Sequence, residues 1–297
     1  MQVIAHGGAG GAPDDPDARQ DVLDAAAADG AEQPDVVSAV EAAINVMEES
    51  PRFSAGRGGA VQMDGVIRTD AGIMTGDRRA GAVCSMPGVK DAVSAARVVL
   101  EETPHVLVSG EHAVELAAEY GVETGVDLWT ERTRDRWDEA DPPSDAPLGE
   151  QLAWLREHFG RNEGGDGAPA DFDHDTVGAV AADGQGGFAA ATSTNGRWLA
   201  ITGRVGDVPQ IGSGFFAAPA GAASTTGAGE DIAKVTLTRR AVRHLEAGHN
   251  AGQAADLAIE EFGEITGADA GVIVLDRDGN AGSAYNSAAM QTSVARR

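Results

Sequence analysis

The sequence has one cysteine and no long apolar run, and both shortages restrict what it can be. Because Cys84 is alone, no disulfide can form within the chain, and its thiol is interpreted as a small buried side chain. No stretch approaches the roughly 18 apolar residues of a membrane-spanning helix, and residues 1–5 lack the features of a cleaved signal. We therefore expect a cytoplasmic protein that neither spans a membrane nor is exported.

Positive charge is scarce as well. Asp and Glu number 47 against 22 Lys and Arg, only Lys90 and Lys234 are lysines, and the formal net charge is −25. Such a chain repels phosphate backbones and anionic lipids, so we expect no nucleic-acid or membrane partner. An acidic excess with little lysine and few aromatic residues is also typical of proteins that work in molar salt, where screening removes the self-repulsion. The composition thus predicts a halophilic source.

Two kinds of ligand site find no support in the motifs. Glycines at 7, 8, 10 and 11 follow a predicted strand, but Pro13 stands where the last glycine of a dinucleotide fingerprint belongs, and no Gly-Lys-Ser/Thr sequence follows. The seven histidines lack the spacing of a zinc site, and most are interpreted as surface or helix-end residues. His174 is the exception, because it lies beside a candidate cleavage site. These residues predict no cofactor.

The apolar periodicity predicts alternating helices and strands. The length of 297 residues allows one domain or two, and motifs spread over most of the chain favour one. Residues 138–175 hold 11 acidic and 2 basic residues, which predicts a flexible linker with one short helix at 149–159. Helices are predicted at 35–50, 91–103, 111–120, 230–247 and 251–263, and strands at 2–6, 59–69, 79–86, 270–276 and 281–285.

A β-hairpin is predicted immediately after the linker. Two small apolar runs, 177–183 and 188–194, flank a Gly-Gln-Gly-Gly turn that contains Gln185. Thr176 lies nine residues before Gln185 and Thr194 lies nine residues after it. Allowing one register slip, strand pairing places the two threonine hydroxyls side by side.

Thr176 is a candidate nucleophile if the chain is cleaved before it. A threonine hydroxyl needs a base within hydrogen-bond reach, and an α-amine with a pKa of about 8 is partly neutral at working pH. A threonine at a new N-terminus brings that base with it, and before cleavage its hydroxyl can attack the carbonyl of Asp175. The alternative is that Thr176 simply begins a strand, where β-branched residues are common. The neighbouring motifs favour the nucleophile.

Two further motifs can bind a small charged substrate. Arg204 and Asp207 lie three residues apart, and a guanidinium with a carboxylate suits the two charged groups of an α-amino acid. Thr226 and Gly227 precede a predicted helix, where a hydroxyl and a backbone amide can stabilise a developing oxyanion. The alternatives are a surface ion pair in a glycine-rich turn and a flexible helix entry.

Short motifs in a fixed order resemble the plant-type asparaginase and isoaspartyl-peptidase family, whose relatives are the glycosylasparaginases and taspases. The resemblance runs over most of residues 2–290 and leaves out the acidic linker. It implies an α+β fold, the four-layer αββα sandwich of the N-terminal-nucleophile hydrolases, cut into an α chain of 1–175 and a β chain of 176–297. The motifs lie at 4–10, 53–58, 70–74, 103–106, 174–178, 192–194, 203–207 and 225–230.

The same resemblance implies a role for each candidate residue. Thr176 would be the nucleophile, released by cleavage between Asp175 and Thr176, with Thr194 as its hydroxyl partner. The oxyanion hole and substrate site would be formed by Thr226, Gly227, Gly229, Arg204 and Asp207. A structural sodium ion is implied at a loop of backbone carbonyls around Met47, Glu48, Phe53, Ser54, Ala55 and Arg57.

The activity implied is hydrolysis of β-aspartyl bonds, in L-asparagine and in isoaspartyl dipeptides, by a homodimer of αβ units. Asp175 before the nucleophile and the sequence at 194–196 are closer to glycosylasparaginases, so an amidase of that kind remains an alternative. A second alternative is an uncleaved amino-acid-binding protein that uses Arg204 and Asp207 only to hold its ligand.

The charge balance predicts that salt stabilises the protein. The Debye length is about 30 Å at 0.01 M salt and about 3 Å at 1 M, so repulsion between neighbouring carboxylates is largely removed at high salt. We expect the melting temperature to rise as KCl or NaCl increases from tens of millimolar toward molar. Thermal scans across that series measure the effect, and a flat or falling melting temperature would contradict the halophilic interpretation.

Overall fold

The computed structural model of the chain describes residues 1–159 and 176–297. The first range contains β1 (Gln2–Gly10), α1 (Pro16–Ala31), α2 (Val36–Glu49), β2 (Arg68–Thr75), β3 (Ala80–Pro87), α3 (Ala92–Glu102), β4 (Leu107–Ser109), α4 (Gly110–Glu119), α5 (Glu131–Ala140) and α6 (Leu148–Phe159). The second contains β5 (Val177–Ala182), β6 (Phe188–Thr194), β7 (Phe215–Ala218), β8 (Gly221–Gly227), α7 (Gly229–Val235), α8 (Leu237–Glu246), α9 (Ala251–Thr266), β9 (Ala270–Asp276), β10 (Ala281–Tyr285) and β11 (Ala289–Arg296).

The strands form two sheets. The larger sheet has seven strands in the order β11-β1-β5-β6-β2-β3-β4, and the smaller has four in the order β10-β9-β8-β7. Neighbouring strands run antiparallel except β3 and β4, which are parallel. The hairpin β5–β6 therefore lies in the middle of the larger sheet, with sequence-distant strands on both sides.

Helices cover the outer faces of the sheets, and the inner faces meet. Helices α1 to α4 pack on the larger sheet and α8 and α9 on the smaller one, each over its own apolar cluster. A third cluster between the sheets contains Ile4, Val180, Phe215 and Ile273. Strands with two buried faces consist of near-continuous apolar or small residues, and all of β5 and β9 is buried. The expected mixture of helices and sheets, an α+β fold, is confirmed.

A smaller cluster beside these layers holds all four tryptophans of the protein. Trp198 packs with Val61 and Ile67, and the partly buried Trp129, Trp137 and Trp154 lie against them, so that α5 and α6 are joined to the loop after β6. The rings of Trp129 and Trp137 meet edge to face, with centroids 5.9 Å apart.

Most predicted elements are present, with two corrections. The strand predicted at 59–69 is wrong, because this segment is a loop with one isolated bridge and β2 begins only at Arg68. Gly65, at a φ of 74°, reverses the chain there. The helix predicted at 230–247 is broken into α7 and α8 at Thr236, whose φ is 55°.

The helix at 35–50 is confirmed as α2, and Asp35 caps it by accepting from the amides of Val37 and Ser38. The short helix at 149–159 is confirmed as α6, whereas the rest of the predicted linker, 160–175, lies outside the described residues. Cys84 is buried as predicted, and burial raises the pKa of its thiol to about 11. Among the described helices, none has the length and apolar character needed to cross a bilayer.

Close packing between the sheets predicts that Gly72 in β2 tolerates no side chain. A Cβ at this position would lie 1.9 Å from a ring carbon of Phe215 in β7. We expect Gly72→Ala to lower the free energy of unfolding by about 1–3 kcal/mol or more, because the core cannot expand without strain. Urea denaturation measures the loss. Gly149→Ala in α6, where a Cβ meets nothing within 4 Å, is the control and should not destabilise; equal stability of both variants would contradict the packing argument.

Candidate active site

The β5–β6 hairpin brings the two predicted threonines together. Val177 pairs with Ser193, and this register, extended by one residue, sets Thr176 opposite Thr194 without any slip. The Thr176 hydroxyl donates to Thr194 Oγ1 at 3.1 Å. The amide of Gly196 also donates to Thr194 Oγ1, at 3.0 Å. The proximity predicted for the two hydroxyls is therefore confirmed.

The other hydroxyls of β6 anchor the strand on both of its faces. Ser193 Oγ donates to the buried carboxyl of Glu48 in α2, on the helix side. Thr192 Oγ1, on the side of the smaller sheet, donates to the carbonyl of Gly214 at 2.9 Å and lies 2.7 Å from Ser224 Oγ. Successive side chains alternate between faces, so neighbouring residues fix β6 to both layers.

Two buried titratable groups belong to this framework. Ser224 Oγ lies 3.0 Å from Nε2 of His6 in β1, and burial lowers the pKa of His6 to about 3, so its ring is neutral. The interpretation of histidines as surface residues is therefore wrong for His6. Burial also raises the pKa of Glu48 well above its ordinary value, although Ser193 and two backbone amides oppose the shift.

Arg204 is paired with Glu230, a contact that the sequence did not indicate. Arg204 Nε donates to Glu230 Oε1 at 2.8 Å, and Arg204 Nη2 lies 2.8 Å from Oε2, so one edge of the guanidinium is engaged by both carboxylate oxygens. Arg197 Nη1 lies 3.7 Å from Glu230 Oε2. Burial disfavours the ionised Glu230, but the two guanidinium groups outweigh it and keep its pKa below the ordinary value.

Asp207 also lies beside Arg204, but its pKa is raised, whereas the pKa of Glu230 is lowered. Its Oδ2 is buried without a hydrogen-bond partner among the described residues. Burial raises the pKa of Asp207 to about 7, while the charge of Arg204 pulls the other way. Burial likewise raises the pKa of Asp70 in β2 to about 6. Because Asp207 is 6% exposed and the Arg204 side chain 14%, an ordinary surface ion pair is not what these residues form.

Glycines connect the threonine pair with the charged group. A Cβ on Gly196 would lie 3.5 Å from Arg204 Nη1, and the same residue donates its amide to Thr194. Gly229, at the start of α7, leaves open the space beside Asp207 and Arg204, because a Cβ there would come within 2.7 Å of Asp207 Oδ1. Thr194, Arg204, Asp207 and Gly229 are thus neighbours in one site.

Thr226 and Gly227 end β8, the strand that precedes α7. Thr226 is buried, and its Oγ1 accepts from the amide of Ala9 at 3.3 Å. Gly227 has a φ of 133°, and a Cβ there would lie 2.5 Å from the carbonyl oxygen of Asp269, so this position requires glycine. The structure places both residues next to Gly229, at the helix entry that the sequence predicted.

The loop proposed for sodium runs from Met47 to Arg57, and the ligands proposed for the ion are backbone carbonyl oxygens. Its ends are joined because the amide of Arg57 donates to the carbonyl of Glu48 at 3.1 Å, across Gly56 at a φ of 69°. The Ser54 carbonyl accepts from the Asn195 amide at 2.8 Å. Within the described ranges, no three His, Cys, Asp or Glu side chains cluster as a metal site. Carbonyl oxygens fit a hard cation such as sodium and do not fit zinc.

Asp175, the residue predicted to precede the scissile bond, lies outside the described residues, as does His174. Asn195 is a residue that the sequence did not single out for the site. It is 1% exposed, and its side-chain amide donates to the carbonyls of Gly56 at 3.1 Å and Arg68 at 3.4 Å. Its signals in the sequence were its position directly after Thr194 and its place in the 194–196 sequence.

Comparison with known proteins finds one family. The chain matches the family described as asparaginase over residues 1–297. It is 38% identical to a plant-type L-asparaginase of Pyrococcus abyssi over 96% of this chain and 93% of the relative, and 41% identical to one of Pyrobaculum calidifontis over 86% and 81%. It is 35% identical to the isoaspartyl peptidase/L-asparaginase of Homo sapiens, over 88% and 80%.

The raised pKa of Asp207 predicts a pH-dependent effect of Asp207→Asn. Because the folded-state pKa lies above the ordinary value, the protonated carboxyl contributes stability in acid that is lost as the pH rises through about 7. Asparagine does not titrate, so the melting temperature of the variant minus that of wild type should be larger at about pH 8 than at about pH 5. Thermal scans at both pH values test this, with exposed Asp256→Asn as control; an unchanged difference would contradict it.

Proposed function

The chain belongs to the asparaginase family, and from that membership we propose that it hydrolyses β-aspartyl bonds with Thr176 as its nucleophile. The substrates are L-asparagine, which yields aspartate and ammonia, and isoaspartyl dipeptides, which yield aspartate and an amino acid. The single observation that carries the proposal is the 3.1 Å hydrogen bond from Thr176 to Thr194, which lies two residues before Gly196, the glycine that borders Arg204.

The proposed reaction proceeds through an ester. The α-amine of Thr176, free after cleavage, accepts the proton of its own hydroxyl while Oγ1 attacks the side-chain carbonyl carbon of the substrate. Thr226 and Gly227 stabilise the oxyanion that forms. The C–N bond then breaks, and the leaving amine takes the proton held by the α-amine. Water, activated by the same amine, hydrolyses the ester, releases aspartate and restores the hydroxyl.

The charged residues of the site are proposed to bind the α-amino acid group of the substrate. Arg204 is proposed to bind the substrate's α-carboxylate, and Asp207, with the backbone at Gly229, its α-ammonium. Glu230 engages only one edge of the Arg204 guanidinium, and Asp207 Oδ2 has no hydrogen-bond partner within residues 1–159 and 176–297, which supports this division. Both substrate classes present the same α-amino acid group and differ in the amine that leaves, which accounts for one site acting on both.

We propose that the chain matures by cutting itself between Asp175 and Thr176 into an α chain of 1–175 and a β chain of 176–297. The two facing sheets with helices outside them fit the four-layer αββα sandwich of the N-terminal-nucleophile hydrolases. We further propose a sodium ion held by the backbone of the 47–57 loop and a homodimer of αβ units. Neither takes part directly in the bond-breaking steps.

The sequence at 194–196, which is closer to glycosylasparaginases, favours one competing activity, that of a glycosylasparaginase-like amidase. Release of the sugar amine from a glycosylated asparagine, measured beside ammonia release from asparagine, separates the two. If the glycosylated substrate has the larger kcat/KM, the competing activity is the correct one.

Replacing Thr176 tests both maturation and catalysis. Thr176→Ala removes the hydroxyl needed for both steps, so we expect one band near 30.3 kDa on a denaturing gel and no ammonia from asparagine. Wild type should give two smaller bands and release ammonia. Thr238→Ala, a buried threonine on α8 outside the site, should behave as wild type. Two fragments from Thr176→Ala would exclude self-cleavage by this residue, and an uncut, inactive wild type would favour the amino-acid-binding alternative.

A further inference from the structure

The site holds more carboxylates than its binding guanidinium can neutralise. The charge of Arg204 acts on Asp70, Asp207 and Glu230, which approach it from β2, from its own loop and from the first turn of α7. A substrate α-carboxylate would bring a fourth carboxylate to Arg204 in a place that is largely shielded from solvent, while the α-ammonium of the substrate is assigned to Asp207. Carboxylates that share one guanidinium in a buried site of low dielectric repel one another.

The pairing geometry of Arg204 intensifies this conflict. Glu230 engages its Nε and Nη2 at 2.8 Å each, so a carboxylate that binds through Nη1 and Nη2 must share Nη2 with Glu230. The substrate and Glu230 therefore compete for one guanidinium. Binding requires that Glu230 yield part of that contact without being left as an uncompensated charge.

Arg197 is placed to compensate it. Its Nη1 lies 3.7 Å from Glu230 Oε2, longer than a hydrogen bond but within ion-pair range, and its side chain is 27% exposed. Arg197 also interacts electrostatically with Asp231, the next residue on α7. A small rotation of Glu230 toward Arg197 would shorten this contact as it lengthens the one to Arg204.

We propose that Arg197 is a positioning residue that holds Glu230 when the substrate's α-carboxylate occupies Arg204. The inference rests on the proposed function, because that function assigns the α-carboxylate to Arg204. Arg197 sets the affinity for the amino-acid head of the substrate and does not touch the reacting carbonyl. Its removal therefore affects binding of every substrate with a free α-carboxylate and leaves the chemical step unchanged.

Arg197→Met, Arg197→Lys and the control Arg243→Met test the proposal in the mature enzyme. Arg243 also pairs loosely with a glutamate, at 3.9 Å from Glu246, but on the exposed face of α8. We expect Arg197→Met to raise the KM for asparagine and the calorimetric Kd for L-aspartate by about tenfold, with kcat within about twofold. Arg197→Lys should recover most of the affinity, and Arg243→Met should match wild type. Melting curves show which variants fold.

Repeating the Arg197 substitution in the Glu230→Gln variant shows whether Arg197 acts by compensating the charge of Glu230 or by supporting the loop in general. When Glu230→Gln removes the negative charge, Arg197→Met should change KM and Kd by less than about twofold. An equal loss in both backgrounds, or a fall in kcat with KM unchanged, overturns the proposal. If wild type released no ammonia, the proposed function would fail by itself, and the L-aspartate Kd would still decide the role of Arg197. Absence of L-aspartate binding to wild type would overturn both.

Discussion

The pairing of β5 with β6 determines where the side chains of Thr176 and Thr194 lie. Both strands are buried on both faces, and a slip of one residue would turn every side chain of the slipped strand toward the opposite layer. The register that avoids this sets Thr176 opposite Thr194 and aims Ser193 and Thr192 at opposite layers. The placement of the two threonine hydroxyls is therefore a product of the central sheet.

The positions of the charged residues of the site depend on burial and charge pairing, not on strand register. Arg204, Asp207 and Glu230 come from a loop and from the first turn of a helix, and burial acts against each of the two carboxylates. Their ionisation states differ because Glu230 has two guanidinium partners, whereas Asp207 Oδ2 has no hydrogen-bond partner among the described residues. In the proposed function, an α-ammonium group of the substrate would supply a partner for this oxygen.

The sequence predicted those parts of the fold in which the apolar pattern is unambiguous. α2 has an Asp cap and a clear stripe, and the hairpin at Gln185 has a glycine-rich turn, so both were found. α1 and β8 were missed because their buried residues are mostly alanine, serine, threonine and glycine, which show little periodicity. α1 and β8 are buried because other elements pack on them, and the local sequence does not show which elements will do so.

In the candidate site, too, local features could be predicted and contacts between distant segments could not. Thr176 and Thr194 could be placed together by counting residues from a turn, which is a local argument. The contact of Arg204 with Glu230, 26 residues later, and the burial of His6 under β8 depend on how distant segments meet. No spacing rule gives them. The strand predicted at 59–69 failed for a related reason, since Val61 and Ile67 are apolar because they face the tryptophan cluster.

That cluster has a consequence for how the molecule can be observed. None of the strands contains tryptophan, and all four indole rings lie on α5, on α6 or in the loops near Trp129 and Trp198. Light emitted by the indoles therefore reports on one flank of the protein, where α5 and α6 meet the loop after β6. The described strands of both sheets contain no indole, so tryptophan emission does not report on them directly, whereas far-ultraviolet circular dichroism follows the backbone of the whole chain.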